Sequence, residues 1–215
     1  MPRANLKHMR SIHALIASAV LVVVLAGCTP SAPEPIPSPT PSATEVKPTP
    51  KPTPTITVEP LAIPECETLL PLATAKSLFS ENTEFLGEQP AGEFVGRQTV
   101  ASIPVVLSTA SPSRACLWGV PNSDGAFQLV VAGITDAEIA TLQSELTAAG
   151  YSETTMGTVT AFELEGENEV GSVGTTHLFT GNVWIVCDGS SLHLSGAVVG
   201  DALDALRTAN PSLGL

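Results

Sequence analysis

Histidine, serine, cysteine and closely spaced carboxylates are the residues of this chain that could do chemistry. His177 and His193 each adjoin leucine (Leu178; Leu192 and Leu194), so strand alternation turns both imidazoles away from the face the leucines bury. A zinc site takes three or four ligands, and these two histidines have no partner set at ligand spacing. Glu163, Glu165, Glu167 and Glu169 could offer oxygens to calcium, but the Asp/Asn and Gly spacing of an EF-hand is missing. The run reads as a solvated strand end and hairpin loop. Gly189-Ser190-Ser191 does not meet the Gly-x-Ser-x-Gly of a nucleophile elbow, and Asp188 and His193 beside it match a triad only by sequence proximity. Carboxylates that cleave glycosidic bonds are defined by their separation in space, which sequence does not give. Trp118 and Trp184 read as core aromatics rather than a sugar platform. No catalytic residue, metal site or cofactor site is read from the chain.

The elements that would position such residues begin with an export signal. Arg3, Lys7 and Arg10 precede an apolar stretch that runs from Ile12 to Gly27 and ends in Leu25-Ala26-Gly27-Cys28. A basic start, an apolar middle and small residues before a cut describe a secretory leader. The stretch is short for a membrane span, which takes roughly 20 apolar residues. Leu-Ala-Gly-Cys in this position resembles the lipobox of bacterial lipoproteins. That resemblance implies cleavage before Cys28, a diacylglyceryl group on its thiol, and a cell membrane location on the extracytoplasmic face. Each buried methylene contributes about 0.8 kcal/mol, so two acyl chains anchor stably where one is marginal. The lipid bilayer is then the first partner, held through acylated Cys28.

Residues 28–60 form a stalk. Eleven of the 32 residues from 29 to 60 are proline, and most of the rest are Ser, Thr and Ala. Prolines at this density cannot donate the bonds of helix or sheet and favour polyproline II, about 3.1 Å per residue. Fully extended, that rise carries a domain on the order of 100 Å from its anchor. A Ser/Thr/Pro-rich stalk is also of the composition that accepts O-glycans.

The remaining residues, 61–215, have the size of a single domain. Lys76, Arg97, Arg114 and Arg207 face 18 acidic residues there, a net charge of −14. Such a field repels polyanions, so nucleic acid and anionic lipid headgroups are poor partners, and no nucleic-acid partner is expected. The domain cysteines are Cys66, Cys116 and Cys187. In an oxidising space one disulfide and one leftover thiol are expected. The preferred pair is Cys66–Cys116, which staples the first helix to a strand and closes a loop of about 50 residues, worth about 3–4 kcal/mol in the chain-entropy treatment. Cys116–Cys187 is the rival. Cys187 alternates with Val183 and Ile185, reads as a small buried hydrophobe with a free thiol, and has no basic neighbour to activate it.

Within the domain the first helix is expected from Pro71, with Leu72, Ala75, Leu78 and Phe79 on its apolar side. Ser80 to Gly92 reads as loop. Phe94-Val95 and Thr99 to Thr109 read as extended, with Pro104 at an edge or strand start. Ala115–Val120 and Ala126–Ala132 flank a five-residue turn and form a hairpin. Thr135-Asp136-Ala137-Glu138 is a capping box opening a helix over 136–149 that Gly150 stops. Strands follow at Thr158–Glu165, Thr175–Thr180 and Val183–Asp188, separated by a loop at 166–174 and a turn at Gly181-Asn182. A further strand is read at Ser191–Ser195, and a last helix from Val198 to Ala209. The fold class is α+β: an antiparallel sheet with about three helices packed on it. Hairpin followed by helix occurs twice, around Trp118 and around Trp184, which suggests repeated halves.

Pro64-Glu65-Cys66-Glu67-Thr68-Leu69-Leu70-Pro71, followed by Cys116-Leu117-Trp118, is similar to a group of small secreted actinobacterial lipoproteins with a lipobox and stalk. Leu178 to Trp184 looks like a strand turn of some members. The resemblance implies a disulfide between Cys66 and Cys116, and Cys187 departs from the group's two-cysteine pattern. That group carries no assigned reaction. The functional reading is a non-catalytic binding module for an envelope or extracellular protein or polymer. The alternatives are an enzyme acting on cell-wall polymers through acidic residues, and a passive structural component of the envelope.

Overall fold

The computed structural model describes residues 59–94, 100–169 and 171–215. The leader, Cys28 and the stalk up to residue 58 lie outside the described residues, as do Val95 to Thr99. Seven strands form one antiparallel sheet: β1 Glu84–Gln89, β2 Ser113–Gly119, β3 Ala126–Gly133, β4 Ser152–Met156, β5 Val159–Asn168, β6 Gly171–Thr180 and β7 Val183–Gly189. Their spatial order is β1-β2-β3-β7-β6-β5-β4. Among the described residues five α-helices accompany them: α1 Cys66–Leu69, α2 Leu72–Leu78, α3 Ser102–Thr109, α4 Asp136–Ala148 and α5 Leu192–Ala209. The chain is α+β as expected, with two more helices than the sequence suggested.

Alternation sorts the strand residues onto two cores. Cys116, Trp118, Phe127, Leu129, Val131, Val183, Ile185 and Cys187 face α1, α2 and α5. Ala115, Val130, Ala132, Phe162, Phe179, Trp184 and Val186 face α3 and α4. Helices therefore pack on both sides of the sheet's centre. The hairpin–helix order does recur, as β2-β3-α4 and β6-β7-α5. Because α4 and α5 lie on opposite faces of antiparallel neighbours β3 and β7, the two units have opposite hand, and no rotation superposes them.

Four local expectations are corrected. The 99–109 segment is helical where it is described: Ile103, Val106 and Leu107 share one buried side at helical spacing. Pro104 is its third residue, inside the first turn where the backbone N–H has no helical partner to lose. Ser80 to Gly92 contains β1, whose residues alternate exposed and half-buried against β2. Ser191–Ser195 is no strand but the start of α5. The Ser191 hydroxyl accepts from Leu194 N at 3.2 Å as N-cap, so the helix opens six residues before Val198. Most of the 166–174 segment is strand, since β5 and β6 stay in register out to Asn168 and Gly171. A fifth segment, β4, lies where no strand was read.

Other features match the sequence reading. Thr135 and Glu138 form the capping box reciprocally. Gly150 has φ of 89°, the left-handed stop a side chain would resist. Cys66 and Cys116 form a disulfide with Cα atoms 5.7 Å apart, and Cys187 is free and buried. Arg114 reinforces that staple, donating to Glu65 beside α1 at 2.6 Å and to Glu88 of β1 at 2.8 Å.

Candidate functional site

One end of the sheet, where the described chain begins, carries an apolar groove of about 640 Å³. Asn210 fixes the chain segment that leads into it. Buried at the C-terminal end of α5, it accepts from Ala62 N at 2.8 Å and donates to Ala62 O and Leu206 O at 2.8 Å. These bonds hold Leu61 against the sheet end. The β3–α4 and β6–β7 connections meet there: Ile134 N donates to Asn182 O at 3.0 Å, and Asn182 Nδ2 donates to Ile134 O and Asp136 Oδ1. Gly133 leaves this junction closely packed: a Cβ there would lie 3.1 Å from Pro112 Cδ and 3.5 Å from Leu61 Cδ2. Pro60, Leu61, Pro112, Ile134, Val183, Leu213 and Leu215 give the groove its aliphatic lining.

Its polar rim is committed to the fold. The Glu138 carboxylate accepts from Thr135 N and Oγ1, each at 2.7 Å, and these bonds hold its pKa below the ordinary carboxylate value. Glu59 accepts from Ser212 Oγ at 2.7 Å. What the groove offers a ligand is the burial of apolar surface, with two carboxylates at the margin. The sequence did not point to these residues as a site. They come from five separated stretches, and only the capping box at Thr135 and Glu138 and the turn at Gly181-Asn182 carried a local signal.

A smaller, polar pocket of about 280 Å³ lies at the opposite end, between the start of β3, the β5–β6 hairpin and the end of β7. Phe79 forms one wall, and Asp124, Asn168, Ser172, Asp188 and Ser190 supply oxygens and an amide. Asp188 accepts from the Thr175 hydroxyl.

The two histidines are placed on opposite sides of the sheet. His177 leaves the face of Leu178, as alternation required, yet the other face is core as well, and it is fully buried there. Its Nδ1 accepts from Trp184 Nε1 at 3.2 Å, its ring stacks on that indole at a centroid distance of 5.8 Å, and Tyr151 meets it at 5.2 Å. Burial pushes its pKa down to about 3. His193 is exposed on α5, so the pair cannot share an ion. Among the described residues no three His, Cys, Asp or Glu side chains are grouped to hold a metal. Ser191 is committed to capping α5. The Cys187 thiol is pushed well above its ordinary pKa by burial and by the Asp188 charge, which keeps it protonated and unreactive. Trp118 is wholly buried against Phe127 and Phe85, and Trp184 against His177 and Phe179. No family model matches the chain, and neither the curated proteins nor the solved structures yield a match.

Proposed function

We propose that this protein is a membrane-anchored extracytoplasmic lipoprotein, held through acylated Cys28 on a proline-rich stalk, whose acidic head is a non-catalytic binding module for an envelope or extracellular partner. The observation that supports this reading is the apolar groove at the stalk-proximal end of the sheet. Its volume falls within the ordinary range for ligand sites, about 300–1,000 Å³. Its rim groups already hydrogen-bond within the fold, so association there draws on apolar burial rather than on bond making or proton transfer.

The anchor is tested by mass spectrometry of the mature N-terminus. A diacylglyceryl mass on Cys28 is expected, and an intact leader or an unmodified Cys28 would count against the reading. The groove is tested by a photo-crosslinking residue at Leu213 in the full chain in intact cells, with one at exposed Ser144 as control. Adducts specific to Leu213 are expected, and equal labelling at both positions would remove the groove from the proposal. A second reading, an enzyme acting on wall polymers, is favoured by one observation, the pocket in which Asp124 and Asp188 share a wall with Phe79. Turnover of wall polymer by the full chain that Asp188→Asn abolishes would replace the first reading with the second.

A further inference from the structure

On the face that α5 covers, β4 and the outer part of β5 have no helix over them among the described residues. α5 lies over β6 and β7 and meets β5 only at its margin. Every residue of β4 is exposed. Register places Met156 beside Val159 and Thr154 beside Ala161, on the face that α5 shares. The result is an open cavity of about 370 Å³, floored by Met156 of β4, Val159, Ala161 and Glu163 of β5 and Thr176 and Leu178 of β6, with α5 as one wall. Met156 is 73% exposed, more than any other large apolar side chain among the described residues. Two strands span about 9.6 Å, and a helix with its side chains is about 10–12 Å across. The strip is one helix wide.

Two glycines, Gly196 and Gly200, line the α5 wall one turn apart. Within a helix each costs about 1 kcal/mol relative to alanine. A Cβ on Gly200 would meet nothing within 4 Å, so no contact inside the fold requires glycine there. A bare helix face beside an open channel lets another backbone approach closely.

Charge selects what can lie there. Glu163 and Glu165 stand on the same face of β5, and the Glu163 carboxylate reaches within 3.7 Å of where a Gly196 Cβ would be. Arg207 at the other end is engaged by Leu215 O at 2.8 Å and by Asp204 at 3.4 Å. From Gly150 onward, eight carboxylates oppose Arg207, the one Lys or Arg of that stretch. A second copy of this chain would bring the same carboxylates and be repelled.

We propose that the β4–β5 strip beside α5 is the docking site for one amphipathic helix of a partner protein, with its apolar stripe on Met156, Val159 and Ala161 and a basic flank against Glu163 and Glu165. This surface is distinct from the stalk-proximal groove, and the inference stands without the lipid anchor.

The test uses the purified full chain and three labelled synthetic peptides: an amphipathic Leu/Ala helix with a Lys flank, the same helix with a Glu flank, and a scramble of the first. Fluorescence anisotropy should show the Lys-flanked helix binding, and the other two should bind at least about tenfold more weakly, a difference of about 1.4 kcal/mol. Gly200→Leu should weaken it by a similar factor. The Cβ it adds meets nothing within 4 Å and it replaces glycine with a better helix former, so its melting temperature should not fall. Glu163→Gln should weaken it by a smaller factor that shrinks as salt rises. Three results would overturn the proposal. One is no binding of the Lys-flanked helix up to about 1 mM, the weak end of measurable affinity. Another is unchanged binding by a folded Gly200→Leu chain. The third is self-association that Gly200→Leu abolishes, which would make the occupant a second copy.

Discussion

His177 shows how burial alone resets a side chain's chemistry. The imidazole is stacked on Trp184, edged by Tyr151, and accepts the indole N–H, with no carboxylate on its ring among these contacts. Its folded pKa is about 3 against an ordinary value of 6.5. Above pH 6.5 both folded and unfolded states hold it neutral, and it makes no pH-dependent contribution. Below pH 6.5 the unfolded chain takes up a proton that the folded chain refuses, so stability falls as pH falls through that value and continues to fall toward pH 3. One proton difference costs about 1.4 kcal/mol per pH unit. Urea denaturation of wild type and His177→Gln at pH 7, 6 and 5 should therefore give a shallower acid limb in the variant, whatever its stability at pH 7. Parallel limbs would mean the imidazole is protonated in the folded state.

At the scale of elements, the small helix α1 has little of its own to hold it. It spans four residues and has no side-chain cap. The disulfide to β2 and the Arg114–Glu65 pair fix it over the first core. Replacing both Cys66 and Cys116 by alanine removes a cross-link spanning 50 residues of sequence. The expected loss is about 3–4 kcal/mol, because the freed loop enlarges the unfolded ensemble. It should be read as a lower urea midpoint in the variant, and an unchanged midpoint would show that packing alone secures the helix. Cys187 should stay unlabelled by thiol reagents in both proteins until they unfold, since it lies fully buried. α3 makes the complementary point. Its β-branched residues and Pro104 resemble a strand locally, and only the shared burial of Ile103, Val106 and Leu107 against the second core selects the helix.

At the scale of the whole molecule, the residues from 61 onward carry a net charge of −14, against which Arg114 pairs with Glu65 and Glu88 and Arg207 with Asp204. Self-repulsion destabilises the compact state and is screened as salt rises, the Debye length shrinking from about 30 Å at 0.01 M to about 8 Å at 0.15 M. Urea midpoints at neutral pH should rise across that range. A midpoint that falls with salt would show that the three ion pairs of Arg114 and Arg207 outweigh the repulsion.

Sequence by itself determined the features that arise from neighbours along the chain. The proline density from 29 to 60 and the acidic balance are compositional. The capping box at Thr135 and Glu138, the Gly150 stop and the alternation of β2, β3 and β7 are local patterns that the fold retains. Alternation also put Cys187 with Val183 and Ile185, and turned His177 away from Leu178. It could not say whether the face His177 entered was solvent or core, because that depends on α3 and α4 lying over it. Tertiary structure decided that Ser102 to Thr109 is a helix, that Ser191 caps one, and that β1 and β4 exist as edge strands. It alone assembled the stalk-proximal groove from Leu61, Pro112, Ile134, Val183 and Leu215, and left the β4–β5 strip uncovered beside Gly200. The reason is one of range. Propensity and periodicity act over a few residues, whereas a cavity is the space remaining after distant segments have packed.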